Sequence, residues 1–223
     1  MNNMSKPFIS YLVTCKNEGK QLQPLLDLLF IDSLNAECVI LDDYSDDVET
    51  LNILDTVSKI PFYRVEKHHL NKNYGEHKNY GKSLCRGKYI FQIDADEIPS
   101  ETLLANLRDI LNLNPEVELF WVSRINDFVG VNDEYARKWG WRLTDYNGKR
   151  IVNWPDPQTR IFKNLPEIRW EKRLHERVVG AKVISQLPFD YDLSLIHNKT
   201  MAKQEESNNR YMRDFSVSEN RGG

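Results

Sequence analysis

The sequence contains nothing of membrane-spanning length. Its longest apolar stretches, such as residues 25–31 with Asp27 inside, fall well below the ~20 residues that a bilayer helix needs. The N-terminus has no signal-peptide pattern, so no integral membrane segment is expected and a cytoplasmic location is the default. Cysteine is scarce. Cys15, Cys38 and Cys85 sit in apolar or helical contexts without metal-ligand spacing, which suits buried thiols in a reducing compartment. Glycines are missing where a Walker loop or a dinucleotide fingerprint would require them, so the turn Lys16-Asn17-Glu18-Gly19 is no phosphate loop. No internal repeat or low-complexity linker divides the chain.

What is present is the profile of a globular protein: 40% hydrophobic, 28% charged and 11% aromatic over 223 residues, enough for one large domain. The formal charge of −3 conceals an asymmetry. Between residues 137 and 182 the Lys and Arg outnumber the Asp and Glu by 7, leaving about −10 for the rest. That segment suits an anionic ligand or acceptor, or else forms a solvated basic surface.

Residues 8–14, 38–41, 62–65, 89–94 and 119–123 read as buried strands. Between them, apolar periodicity predicts helices over about 22–29, 48–57, 74–85 and 101–111, with Ser100 as a cap and Gly87 as a helix stop. Alternating strands and helices argue for a mostly parallel sheet covered by helices, an α/β fold. Ligands of such sheets gather where strand ends and loops meet. The Lys16–Gly19 turn is therefore a candidate wall of a site. Asp46 and Asp47 have an ordinary role at a helix start. Asp42 and Asp43 end the second strand, where a carboxylate suits ribose hydroxyls or a base N–H. His77, Lys78 and Asn79 stand at a helix start, well placed for a diphosphate.

The run Tyr89-Ile-Phe-Gln-Ile-Asp94-Ala-Asp96-Glu97 stops abruptly in carboxylates, and Pro99 prevents its simple continuation. Along an extended chain Asp94 and Asp96 project to one side while Ala95 turns away. Hard oxygen donors at a strand end suit Mg2+ or Mn2+ completed by a substrate phosphate; the alternative is an acidic strand-to-helix turn.

After residue 124 the character changes. Trp121, Trp139, Trp141, Trp154 and Trp170 all lie between 121 and 170, among many Arg, Asn and Pro. Such aromatics pack an irregular subdomain or cover the apolar faces of sugars. Residues 159–163 look like a strand, and Arg173-Leu-His-Glu176-Arg177 is either an ion-pair network or a base, Glu176, beside an acceptor hydroxyl, kept ionised by neighbouring cations. A last short strand, 193–197, ends in His197 near Lys199; that histidine is structural or completes a metal site.

Taken in order, residues 11–18, 41–46, 73–79, 92–97, 160–163, 174–176 and 196–197 resemble family 2 glycosyltransferases of the GT-A fold, in particular the small bacterial and phage branch similar to lipopolysaccharide-core β-glucosyltransferases. The likeness runs from about residue 8 to 200. It implies a Rossmann-like GT-A sheet with an aromatic-rich acceptor-side extension: a nucleotide-sugar-binding half over about 8–124, an acceptor-side half over about 125–200 and a C-terminal helix and tail over 201–223, all in one domain. It also implies that Thr14, Asn17, Glu18 and Asp43, with Asp42 beside them, hold the nucleotide. By the same resemblance Asp96 is the chief metal ligand, Asp94 a ribose-facing or water-mediated partner and His197 a third ligand. Glu176 is the inverting base, although the family form is more usually Glu-Asp, and Asp156 is its reserve.

The implied reaction moves a sugar from a nucleoside diphosphate, a UDP-sugar first, to the hydroxyl of a glycan or lipid-linked saccharide. Mn2+ or Mg2+ is the expected cofactor, and Lys78, Arg160 and Lys199 are helpers at the diphosphate. Competing expectations are a nucleotidyltransferase, a silent nucleotide-sugar or nucleic-acid binding module, and a phage enzyme that glycosylates a hydroxylated base in DNA. Donor sugar, acceptor and oligomeric state are not legible in the sequence.

Overall fold

The computed structural model describes residues 6–146 and 148–216. The first half alternates strand and helix: β1 (Ile9–Cys15), α1 (Leu22–Phe30), β2 (Ala36–Asp42), α2 (Val48–Val57), β3 (Tyr63–Lys67), α3 (Tyr74–Leu84), β4 (Tyr89–Asp94), a short β5 (Glu97–Pro99) and α4 (Glu101–Leu113). There follow β6 (Leu119–Val129), α5 (Asp133–Trp139), β7 (Leu143–Tyr146), β8 (Lys149–Lys163), β9 (Arg169–Glu171), β10 (Arg177–Val179), β11 (Ile184–Gln186), β12 (Ser194–Thr200) and α6 (Met201–Asp214). The C-terminal tail lies, from residue 217 onward, outside the described residues.

One sheet runs through both halves in the order β3-β2-β1-β4-β8-β6-β12-β5, with β7 paired to β8 and β11 to β6; β9 and β10 form a separate pair. Strands β3, β2, β1 and β4 are parallel, as are β6 and β12, while β8 runs antiparallel between β4 and β6. The sheet is thus mostly parallel and flanked by helices. Strands β1 and β4 are buried along nearly their whole length, which is why they read as unbroken apolar runs.

The helices follow their sequence signals. Leu103, Leu107 and Leu111 recur every fourth residue along α4 and form its buried stripe, and Ser100 caps it by accepting from the Leu103 N–H. Asp47 caps α2 through the Thr50 N–H, but Asp46 instead accepts from Asn17 Nδ2 at 2.7 Å. Helix α3 lies close to the sheet because it has glycines where a side chain would collide: a Cβ on Gly81 would sit 2.6 Å from Leu12 Cδ1, and one on Gly75 would sit 2.5 Å from the Lys172 carbonyl oxygen.

Gly87 corrects an expectation. The helix ends at Leu84, with Cys85 extended at its C-terminus, and Gly87 is not a left-handed cap. It is where the chain crosses Ser10, whose Oγ accepts the Gly87 N–H at 2.7 Å and leaves no room for a side chain. Strand β6 also continues to Val129 rather than stopping at Ser123, and β8 begins at Lys149, ten residues before the strand expected at 159. Cys15, Cys38 and Cys85 are free and buried, as expected. No helix among the described residues is long and apolar enough to cross a membrane.

Candidate functional site

The carboxyl ends of β1, β2 and β4 lie side by side, with Thr14 opposite Asp94 in the β1–β4 register and Cys15 opposite Asp42 in the β1–β2 register. Register therefore gathers three loops at one sheet edge. Asp94 accepts from Thr14 Oγ1 at 3.0 Å, Gln92 Nε2 at 2.8 Å and Arg160 Nη2 at 2.9 Å, and Lys78 Nζ stands 3.4 Å away. Burial would raise the Asp94 pKa, but the Lys78 and Arg160 charges outweigh it and hold the carboxyl well below its ordinary range. The same partnership raises Lys78, against the pull of burial, through Asp94 and Glu176.

Asp96 has a different set of partners. Its Oδ2 lies 3.1 Å from His197 Nε2 and 3.7 Å from Lys199 Nζ. Burial pushes Asp96 up, yet the His197 hydrogen bond and the charges of His197 and Lys199 bring it down to about 2. Of the three expected metal ligands, then, the structure joins Asp96 and His197 and turns Asp94 towards Arg160 and Lys78. Among the described residues no group of three His, Cys, Asp or Glu side chains stands ready to enclose an ion. A carboxylate oxygen and an imidazole nitrogen converging at 3.1 Å do fit Mn2+ or Mg2+ as two positions, the remainder being left to phosphate and water.

Glu97 lies beneath these groups, fully buried, and binds Arg160 Nη2 and, at 3.2 Å, Arg124 Nη1. Arg160 also reaches Gln92, and its Nε has no partner among the described residues. Asp94, Asp96, Glu97, Glu176 and Asp156, the last held by Arg124, are thus set against Lys78, Arg124, Arg160 and Lys199, five carboxylates to four cations.

Glu176 approaches from the turn before β10, where His175 takes a left-handed backbone (φ 50°). Its Oε1 pairs with Lys78 Nζ at 2.6 Å, which brings it within one ammonium group of Asp94. Asp156 is tied down instead: Arg124 donates twice to its Oδ2, at 2.9 and 2.8 Å, Asn126 Nδ2 donates at 2.9 Å, and Gln158 donates to its Oδ1 at 2.8 Å. With both oxygens engaged it is poorly disposed to take a proton.

The remaining expected residues divide by role. Asp42 is fully buried, where its Oδ1 accepts from the N–H and Oγ of Ser45 and so shapes the loop. Asp43 accepts from the Leu70 N–H at 2.8 Å and pairs with Lys16 at 3.0 Å. Asn17, at φ 54°, staples the two loops through the Asp46 and Asp47 N–H groups. Consecutive helix residues point about 100° apart, so the His77-Lys78-Asn79 triplet splits. Lys78 reaches Asp94, Asn79 clamps the Trp170 backbone, and His77 meets His68 with their Nδ1 atoms 3.2 Å apart. Burial, then the neighbouring His68, lowers His77 to about 4. A cavity of about 310 Å3, lined by His68, His69, Leu70, Glu76, His77 and Tyr80, opens beside Asp43.

Glu18 is raised to about 7, first by burial and then by the charge of Asp96, against Lys203 and Lys199. It lies under α6. That helix runs from Lys203, bonded to Gln21 at 2.6 Å and 3.9 Å from Glu18, to Asp214, paired with Lys72 at 3.2 Å, with Tyr211 and Phe215 against Tyr74. The aromatics of the second half cluster as Phe128–Trp141, Trp139–Trp141 and Tyr146–Trp154, and Phe128 also packs edge-on to His197. Arg124 and Asn126 escaped the sequence reading. Extending the alternation of β6 past Ser123 puts both on the side of the site.

Comparisons with known proteins bear on the fold and the family. The chain aligns with S. aureus TarS residues 1–349 at 18% identity and TM-score 0.58, covering 89% of this chain and 62% of that one. With the same TarS fragment in complex with UDP-GlcNAc the values are 16%, 0.60, 86% and 58%. It thus spans about three fifths of that fragment, and at these identities the likeness is one of fold, the GT-A type. Residues 10–164 match the family described as Glycosyl transferase family 2. That match covers well over half of the sequence, and the chain belongs to glycosyl transferase family 2.

Proposed function

We propose that this protein transfers a sugar from a nucleoside diphosphate sugar to an acceptor hydroxyl with inversion at the anomeric carbon. The observation that carries the reading is the meeting of Asp94, Asp96 and His197 with Lys78, Arg160 and Glu176 at the strand ends of a family 2 chain. A UDP-sugar is the proposed donor, supported by the UDP-GlcNAc that the similar TarS fragment holds.

Charge balance supports a metal. A diphosphate brought into a site whose cations are already matched by carboxylates needs an accompanying cation. Asp96 and His197 would hold Mn2+ or Mg2+. When bound, the ion offsets charge on the leaving diphosphate. Asp94 keeps Lys78 and Arg160 in place, and Lys199 adds a cation beside Asp96. Thr14 fixes the Asp94 carboxylate, and Asp43 with the Lys16–Gly19 turn borders the nucleotide.

Glu176 is the proposed base. It would take the acceptor proton as the hydroxyl oxygen attacks, and general-base help of this kind supplies about 10²–10⁴-fold, leaving positioning and charge stabilisation to supply the rest. The half-buried Trp139, Trp141 and Trp154 offer apolar faces to a glycan or lipopolysaccharide-type acceptor.

The test is a panel of nucleotide sugars incubated with the protein and Mn2+ or Mg2+, scored for release of the nucleoside diphosphate. Turnover of one or more donors is the expected result. Nucleotide incorporation instead of sugar transfer, or tight binding with no donor consumed, would overturn it.

A further inference from the structure

Asn126 is 4% exposed on β6, and sheet register surrounds it: it lies opposite His197 of β12 and opposite Val152 of β8. Between Arg124 and Asn126 the β6–β8 register shifts, because Arg124 faces Asp156 while Asn126 faces Val152. This irregularity aims both the Val152 carbonyl and the Asp156 carboxylate at one amide. Asn126 Nδ2 donates to Val152 O at 3.2 Å and to Asp156 Oδ2 at 2.9 Å. Both of its N–H bonds are thereby committed to oxygens that can only accept, which fixes the orientation of the amide.

The remaining atom, Oδ1, lies 2.9 Å from His197 Nδ1. It has no hydrogen, so the ring nitrogen must donate, and in the neutral imidazole Nε2 is left with its lone pair. That lone pair faces Asp96 Oδ2 at 3.1 Å. Two electron-pair donors cannot face each other at that distance without a proton or a cation between them. Arg124 anchors the far end of this chain of contacts through its paired bonds to Asp156.

We propose that Asn126 is a positioning residue that fixes the tautomer of His197, so that Nε2, beside Asp96, is presented to a divalent cation. This rests on the reading of His197 as a metal ligand. Partners of this kind orient metal-binding histidines and raise their basicity, and losing one costs about 10–100-fold in metal affinity. Asn126 touches neither donor nor acceptor in this scheme. Its direct contact with the proposed ligands is the bond to the imidazole.

Two measurements test it together. Long-range ¹H–¹⁵N correlation of the histidine rings in the metal-free full chain, with His197 identified by its loss in His197→Gln, should find a proton on Nδ1; a neutral ring with its proton only on Nε2 would overturn the proposal. The dissociation constant of Mn2+, read by electron paramagnetic resonance of the free ion with and without UDP, should rise about 10–100-fold in Asn126→Leu. Circular dichroism checks that the variant keeps its fold, and if it does not, the ring-proton result decides alone. Weaker binding in His197→Gln with no change in Asn126→Leu would refute the positioning role. Unchanged Mn2+ binding in His197→Gln would instead refute the ligand assignment on which the role depends.

Discussion

Replacing Glu18 by Gln should make the protein more stable at pH 8 and leave it unchanged near pH 4. Glu18 lies under α6, where burial first and the Asp96 charge second raise its pKa from 4.5 to about 7. Below pH 4.5 the carboxyl is protonated in folded and unfolded chains alike, and it costs nothing. As pH rises from 4.5 to 7 the unfolded chain gives up its proton first, so stability falls across that window and by pH 8 the loss is complete. A displacement of that size corresponds to about 3 kcal/mol. For a chain of this length, about 2–4 °C per kcal/mol turns that into a melting temperature roughly 6–12 °C higher for Glu18→Gln at pH 8. Thermal unfolding of both proteins at pH 4 and pH 8, without divalent metal, measures it. Equal melting temperatures at both pH values would refute the reasoning, and so would a gain of the same size at both. Because Asp96 contributes to raising Glu18, adding Mn2+ at pH 8 should shrink the difference.

Truncating Lys78 to Met should destabilise the fold by about 3–5 kcal/mol in urea unfolding, because Asp94 and Glu176 would lose the cation they share in a buried setting. Gly81→Ala should cost about 1–3 kcal/mol in the same assay, since the added methyl meets Leu12 and Leu41 at the α3–sheet contact. Glu176→Gln should lower transfer by about 10²–10⁴-fold while donor affinity stays within a few-fold, as measured by turnover and calorimetry; equal activity in that variant would remove Glu176 as the base.

Much of the fold was legible because its signals are local. The apolar runs of β1 and β4 are buried on both faces, and Asp47 and Ser100 cap their helices as short-range chemistry dictates. The carboxylates after Ile93 stood out for the same reason. Roles that depend on direction were harder to read. Asp42 and Asp43 are neighbours in sequence, but strand alternation sends the first into the loop core and the second towards Leu70 and Lys16. Helical rotation likewise separates His77 from Lys78. Contacts across the sheet were out of reach. Nothing near Asp156 in sequence reveals Arg124, which lies thirty-two positions earlier and occupies its carboxylate, and nothing near His197 reveals Asn126.

The most direct test of the central claim is nucleoside diphosphate release from the best donor in the panel, measured for the wild-type protein and for Asp96→Asn, with Mn2+ and after chelation. The account predicts metal-dependent release that chelation abolishes and that Asp96→Asn lowers by at least about 10²-fold, the scale of losing one group that stabilises transition-state charge. Release that proceeds equally after chelation, or equally in the variant, would contradict it.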